Sequence, residues 1–469
     1  MIMTIDGEIR LKDVPKELMQ TLTAQLTIQN PAYTSALRMG LPLYSIPRRI
    51  MLYQVRDNEL VIPRGLWLQV WRQRPAGTVK RNFTVTLPAV DFPRADIKLR
   101  DYQDRVAQGV LEGGIPQGVV VMPCGGGKTE TGLYLISRLR QPTLWITHTH
   151  DLVQQAADRA RERLGLVSGE LGIYSAGREE IGTHLTVATV QTLYNRDLEE
   201  LGRCFGCVVV DECHRVVNNP EQAGMFSAVL AQLPAKYRFG LTASAYRTDG
   251  LTDTIYHVLG EKLAEVGQDE LNRKGNVVTP RVLPLVTRFE YLPAPGESPV
   301  NFTRLQRCLA ADTVRTEAIA AYILSELLDG HSCLVLASGL ALLEDLNRRL
   351  SDAGQKSVMI SGKTKAPDRA AALAGMRRGV HKALCATYQL AKEGLDLPIV
   401  DRLFLASPIK TPAAVQQSVG RVMRPMPGKK DAIVYDFYDK AVGICKNQFY
   451  QRRKVYKGLG CTIEKEIIL

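Results

Sequence analysis

The run Val119-Val-Val-Met-Pro123-Cys-Gly125-Gly126-Gly127-Lys128-Thr129 sets an apolar stretch against three glycines, a lysine and a hydroxyl. Those residue types in that order suit a polyphosphate. The glycines let successive backbone N–H groups close around phosphate oxygens, and a helix opening at Lys128 adds positive potential. The residues expected to line the nucleotide are Pro123, Cys124, Gly125, Gly126 and Gly127. Lys128 would reach the β- and γ-phosphates and the Thr129 hydroxyl would bind Mg²⁺. The strict form of this loop has glycine where Met122 stands, so the preceding strand and following helix carry the assignment. Farther on, Cys207-Val-Val-Val-Asp211-Glu212-Cys213-His214 ends an apolar strand in two carboxylates, where a parallel sheet presents functional side chains. Asp211 would hold the Mg²⁺ that Thr129 also touches. Glu212 would orient or deprotonate the water that attacks the γ-phosphate. A third piece, Thr411-Pro412 through Gln416, Gln417, Gly420, Arg421 and Arg424, reads as a helix with Thr411 as N-cap and Pro412 at its first position. Gln417, Arg421 and Arg424 fall on one face, and the two arginines read either as fingers for a nucleotide held by another domain or as a solvated basic face.

These residues need sheets to carry them. From about residue 99 short β-branched runs alternate with amphipathic stretches, the mark of parallel α/β architecture. Strands are expected at Val119–Met122, Leu144–Thr147, Leu185–Val190, Val208–Asp211 and Phe239–Thr242. A second series is expected at Cys333–Ala337, Val358–Ile360, Ala383–Ala386, Leu403–Ala406 and Ala432–Tyr435. Between the two series, residues 293–299 have linker chemistry. At 469 residues the chain suggests about three units. The first 92 residues lack the alternation and set Tyr44, Tyr53, Trp67, Trp71 and Phe83 beside Arg48, Arg49, Arg72, Arg74, Lys80 and Arg81. They are expected to form a separate small domain. Its tryptophans, four apart, fit either a base-stacking surface or the buried stripe of a short helix.

The net charge of +12 is concentrated at the ends: +6 over residues 1–95 and +5 over 440–469, with +1 between. Such a distribution points to a polyanion partner. Nine cysteines without regular spacing fit a reducing compartment, and Cys204-Phe-Gly-Cys207 reads as packing rather than a metal pair. No apolar run reaches 18 residues and the first ten mix both charge signs, so a membrane span and a secretion signal are not expected. The expectation is a cytoplasmic protein, in a host cytoplasm if phage-encoded, acting as a monomer without a membrane partner.

Taken in order, Leu99-Arg100-Asp-Tyr102-Gln103, Met122 to Thr129, Thr147-His148, Val187-Ala-Thr189-Val-Gln191-Thr, Asp211 to His214, Gly240-Leu-Thr242-Ala-Ser244, Thr387 through Gly394-Leu-Asp396-Leu-Pro, and Gln416 to Arg424 resemble the motif series of superfamily 2 helicases. The Asp-Glu-Cys-His form, the Pro-Cys-Gly-Gly-Gly-Lys-Thr loop and Tyr246-Arg247-Thr-Asp249-Gly250 look closest to the XPB-like branch. The opening Ile5 to Pro15, with Asn30-Pro31 and Ile62-Pro-Arg-Gly65, resembles the N-terminal module of phage UvsW-like branch-migration helicases.

The resemblance implies an α/β chain with two tandem RecA-like parallel-sheet domains, 93–282 and 283–469, the second ending in a basic segment. A small basic accessory DNA-binding domain, 1–92, precedes them. It implies that Gln103 recognises adenine and Asp396 the ribose of ATP, with Arg100, Glu130 and Gly394 also at the nucleotide. His214, Thr242, Ser244 and Gln416 would couple nucleotide state to domain closure. Thr147, His148, Thr189, Gln191, Ser338 and Thr387 would line the nucleic-acid strand, with Arg48, Arg49, Arg72 and Arg74 added from the first domain. Gln417 stands where the family often has arginine, and no Arg-Glu-Asp element of the XPB type is evident. The implied function is an ATP-dependent DNA helicase or translocase that remodels branched DNA, using ATP and Mg²⁺. A restriction-system motor, an RNA helicase and a non-enzymatic nucleic-acid clamp are the alternatives.

Overall fold

The computed structural model describes residues 1–469 apart from 95–96, 124, 216–219, 244–250, 274–276, 295–299, 393–394, 396 and 410, and apart from the side chains of 215, 220–224, 392 and 413. The chain groups into two compact units, Met1–Pro123 with Gly127–Val266, and Cys124–Gly126 with Gly267–Leu469.

Alternation of buried and half-exposed residues in Ile2–Ile5 and Glu8–Lys12 makes them neighbouring strands with one apolar face. They sit in a five-stranded sheet ordered Gln54–Arg56, Glu59–Pro63, Glu8–Lys12, Ile2–Ile5, Val79–Asn82, antiparallel except for the last pair. Helix Lys16–Gln25 lays Leu18 and Leu22 onto Met3, Ile9, Leu11, Leu60 and Ile62. The first residues thus have a sheet and a core of their own. They are not separate, however, because they belong to the first compact unit and are keyed into the large sheet beside them. Arg64, 1% exposed, donates to Gln117 Oε1 at 2.7 Å, to Ala235 O at 2.7 Å and to Asp6 O at 2.9 Å. Arg238, equally buried, donates to Leu230 O at 2.8 Å and Leu233 O at 2.9 Å, and reaches Gly7 O at 3.3 Å. A Cβ on Gly7 would lie 1.8 Å from Ala231 O, so only glycine permits the approach.

The large sheet of the first unit runs Arg178–Glu179, Leu171–Ser175, Leu185–Thr189, Thr143–Thr147, Cys207–Asp211, Tyr237–Thr242, Gln117–Val121, Lys262–Glu265, parallel but for its first, two-residue edge. Its central strands are buried throughout, as a sheet with covered faces requires. Parallel pairing sends the ends of Gln117–Val121, Thr143–Thr147, Leu185–Thr189, Cys207–Asp211 and Tyr237–Thr242 to one edge, where the candidate residues collect.

The second unit carries another parallel sheet, ordered Ser357–Ile360, Ala383–Thr387, Cys333–Ala337, Arg402–Leu405, Ile433–Tyr438, Arg281–Val286, Thr462–Ile463, with Ile467–Ile468 also on Arg281–Val286. The border expected at 282/283 falls inside Arg281–Val286, and the units part at 266/267 instead. The basic C-terminal segment is in part structural: Arg452 of helix Gly443–Gly458 is buried in a bidentate pair with Asp436, at 2.7 and 2.9 Å, and Tyr456 adds a third bond to the same carboxylate. Among the described residues no helix is long and apolar enough to cross a membrane.

Candidate nucleotide and nucleic-acid sites

Helix Lys128–Leu139 begins after Gly127, whose φ of 79° lies in the left-handed region that glycine enters without a clash. A Cβ there would also lie 2.0 Å from Gln103 Nε2, so the glycine admits the glutamine against the loop. Gln103 is buried on helix Asp101–Glu112, and its Oε1 accepts from Arg100 N–H at 2.8 Å, which fixes the side chain. Arg100 Nη1 donates to Tyr102 Oη at 3.2 Å.

Across the carboxyl edge, Glu212 follows its strand in a left-handed conformation, φ 48°, which for a non-glycine residue costs on the order of 1–3 kcal/mol. Its own N–H donates to Asp211 Oδ1 at 2.9 Å. Its carboxylate lies 3.5 Å from Lys128 Nζ and 3.3 Å from His214 Nδ1, which is in turn 3.0 Å from Thr242 Oγ1. Lys128, Glu212, His214 and Thr242 thus form one polar chain joining the start of helix Lys128–Leu139 to the ends of two strands. Burial pushes the Asp211 carboxyl up to about 6, the Glu212 charge adds to the rise, and Lys128 opposes it. A cation beside Asp211 would relieve that desolvation. The oxygen donors present, the Asp211 carboxylate and the Thr129 hydroxyl, are of the kind Mg²⁺ takes with phosphate and water completing its shell, so these residues fit the ion.

Several expected contacts stand elsewhere. Glu130, expected at the nucleotide, pairs with Arg163 at 3.0 Å and Arg159 at 3.8 Å on helix His150–Leu164. Thr147 and Thr189 are buried, and their hydroxyls are used internally: Thr147 donates to Thr149 O at 3.1 Å, and Thr189 lies 2.8 Å from Thr192 Oγ1. Gln191 and Ser338 are exposed, and His148 and Thr387 half-buried. Gln191 Nε2 donates to His148 O at 3.2 Å and Ser338 N–H to Ser407 Oγ at 2.8 Å, which fixes both positions. Cys124, Ser244, Gly394, Asp396 and the segment 246–250 lie outside the described residues.

In the second unit the helix expected to carry the arginine fingers is Pro412–Val422, with Pro412 at its start; Thr411 occupies the N-cap without a side-chain capping bond. Val415, Ser418, Val419 and Val422 are buried, leaving Gln416, Gln417 and Arg421 half-buried on the remaining surface. Arg424 falls beyond the helix end, so its side chain is not set by helical periodicity as expected. Arg421 Nη2 donates to Ala391 O at 2.9 Å. A residue outside the sequence motifs bears on this segment. Lys429 Nζ donates to Val400 O at 2.6 Å, to Arg424 O at 3.1 Å and to Pro398 O at 3.4 Å, tying the end of the finger segment to residues 398–400. Burial lowers this ammonium to about 8. No spacing rule marks it out in Lys429-Lys430.

In the first domain Arg48, Arg49, Arg72 and Arg74 are all exposed. Arg72 is paired with Glu261 at 2.8 Å, and the Arg74 guanidinium covers Trp71 at 3.8 Å. Trp67 and Trp71 pack half-buried against the small core, with Lys80 Nζ 5.0 and 5.2 Å from their rings. The tryptophans are therefore core-edge residues with cations laid on them.

Residues 96–247 match the family model described as type III restriction enzyme, res subunit, and residues 316–426 that of the helicase conserved C-terminal domain. The chain is 27% identical over 75% of its length to a protein of Acanthamoeba polyphaga mimivirus described provisionally as the ATP-dependent RNA helicase L396, and 28% identical over 72% to the DNA 3'-5' helicase XPB of Kineococcus radiotolerans. The matched regions span 66% and 59% of those relatives. Saccharomyces cerevisiae Dbp5, solved bound to RNA and ADP BeF3, shares the fold, with a TM-score of 0.56 and 16% identity over 79% of this chain and 90% of that one.

Proposed function

The chain belongs to the superfamily 2 helicases, and on that premise we propose that it is an ATP-driven DNA translocase that remodels branched DNA. The observation that carries the hydrolytic part is the chain Lys128–Glu212–His214–Thr242 at the carboxyl edge of the first large sheet. Lys128 holds the phosphate charge and Glu212 orients and deprotonates the attacking water. His214 and Thr242 report the state of Glu212 to the end of the neighbouring strand. Gln103, pressed against Gly127, is placed to read the adenine. Mg²⁺, when bound by Thr129 and Asp211, supplies polarisation of the phosphoryl oxygens. Arg421 and Arg424 act as the fingers of the second domain, held by the Ala391 carbonyl and by Lys429. Gln191, His148, Ser338 and Thr387 contact the nucleic-acid backbone.

DNA is favoured by the likeness to a DNA 3'-5' helicase, and branched DNA by the fixed basic domain at the N-terminus. ATP turnover compared on single-stranded DNA, duplex, a four-way junction and RNA tests the reading: the junction should stimulate most, and greatest stimulation by RNA would replace it with an RNA helicase. The match to a restriction-enzyme model favours a second reading, the motor of a restriction system. Strand cleavage in the same assays, which the first reading does not expect, would support it.

A further inference from the structure

We infer that the loop 39–47 of the N-terminal domain is the element that meets unpaired bases at a DNA branch, with Tyr44 as its stacking ring. This deepens the proposed function and rests on it. The loop reads Met39-Gly-Leu-Pro-Leu-Tyr44-Ser-Ile-Pro47, without a single charge. Yet it stands in solvent: Tyr44 is 93% exposed, Met39 62% and Leu41 50%. Soluble proteins rarely leave so apolar a tip uncovered without a use for it.

Its stem is fixed. Fully buried Asn30 donates from its backbone N–H to Arg48 O at 3.1 Å and from Nδ2 to Pro47 O at 2.8 Å. On the other side Leu41 N–H donates to Ala36 O at 2.9 Å, closing the end of helix Pro31–Arg38. The tip is thus presented by a rigid base.

Three arginines flank it. Arg38 precedes the loop and Arg48 and Arg49 follow; all are exposed, and none is paired with a carboxylate among the described residues. Elsewhere on this domain Arg72 is neutralised by Glu261, and the tryptophan faces are covered by Arg74 and Lys80. Uncompensated cations and an almost fully exposed ring therefore coincide at this loop. A ligand that is anionic along one edge and flat and apolar along the other satisfies both, and a nucleic-acid strand with its bases splayed out has that form.

The full chain, as wild type, Tyr44→Ala and Tyr44→Trp, is to be mixed with forked DNA carrying 2-aminopurine at the fork. Wild type should change the 2-aminopurine fluorescence; Tyr44→Ala should lose that change and unwind the fork about tenfold more slowly; Tyr44→Trp should restore both, which a folding defect would not allow. A Tyr44→Ala protein that keeps the fluorescence change and the unwinding rate overturns the inference while the DNA reading stands. Absence of any fork-stimulated ATP turnover in wild type brings down that reading and this inference together. Sedimentation and binding to anionic phospholipid vesicles complete the set. If Tyr44→Ala alters self-association or vesicle binding and leaves the fork signals intact, the loop serves a second copy or a lipid surface and the inference is wrong.

Discussion

At the carboxyl edge of the first large sheet, polar groups are held by near neighbours or by the ends of adjacent strands: Glu212 N–H by Asp211, His214 by Glu212 and Thr242. At the seam with the N-terminal sheet the partners are remote. Arg64 binds Gln117, 53 positions on, and Ala235, 171 positions on. The edge directs its polar groups at charges that a nucleotide can exchange; the seam directs its own at buried carbonyl and amide oxygens of neighbouring elements. Substitutions at the edge should therefore change rates with little effect on folding, and substitutions at the seam the reverse.

The largest effect is expected at the edge. Glu212→Gln should lower nucleic-acid-stimulated ATP turnover by about three orders of magnitude or more while ATP binding, followed by a fluorescent nucleotide, survives. Lys128→Ala should lose both. Normal turnover by Glu212→Gln would break the comparison at its first member. Arg421→Ala and Arg424→Ala should each lower turnover by about 10³-fold, the lower end of what arginine fingers supply. If only Arg421→Ala does so, the end of the segment beyond the helix carries no finger.

The seam should respond in stability. Arg64→Met leaves Gln117 Oε1 and the Asp6 and Ala235 carbonyls without their donor, and the unfolding free energy of the first unit should fall by about 3 kcal/mol, within the usual penalty for buried unpaired groups. A shift of a few tenths would mean that water replaces the guanidinium. On the proposed DNA face, Arg48→Ala with Arg49→Ala should flatten the salt dependence of duplex binding by up to about 0.9 for each phosphate no longer neutralised, whereas Arg72→Ala with Arg74→Ala should change it less, because those guanidiniums are engaged within the protein. Equal slopes for the two pairs would dissolve the distinction.

The smallest effect concerns Lys429. Its folded pKa, about 8, lies below that of the unfolded chain, so between pH 8 and about 10 the unfolded state binds more protons and stability gains as pH rises; below 8 the penalty is complete. Thermal unfolding of wild type against Lys429→Met should show this gain only in wild type, at most about 1.4 kcal/mol per pH unit.

The strands that announced themselves did so through short, mainly apolar runs. Cys333–Ala337 has the bounds expected, and Leu185–Thr189 and Cys207–Asp211 differ by one residue. Those that escaped carry charges, a glycine or a proline within the run. Lys262–Glu265 has no β-branched residue, Leu171–Ser175 contains a glycine, and Arg281–Val286 carries Pro284 inside a parallel ladder, where proline argues against a strand. Missing that last strand displaced the expected border. The phosphate loop and carboxylate pair were legible because their geometry is local to a strand end. Whether an arginine meets DNA or a buried carbonyl is decided by tertiary contacts: Arg64, one of the residues behind the +6 of positions 1–95, is 1% exposed. The same holds for Thr147 and Thr189, placed at the expected strand ends with their hydroxyls already used.

The seam also dictates how the molecule should be cut. Because Gly7 meets Ala231 without room for a methyl group and Arg64 plugs into Gln117 and Ala235, removing residues 1–92 would strip a covered face and leave unfilled acceptors on the remaining domain. Such a truncation should aggregate rather than report what the N-terminal domain does. Melting should likewise proceed with the small sheet and the first large sheet as one cooperative block. Point changes at its outer loop, which leave that block whole, are the instrument for assigning it a role.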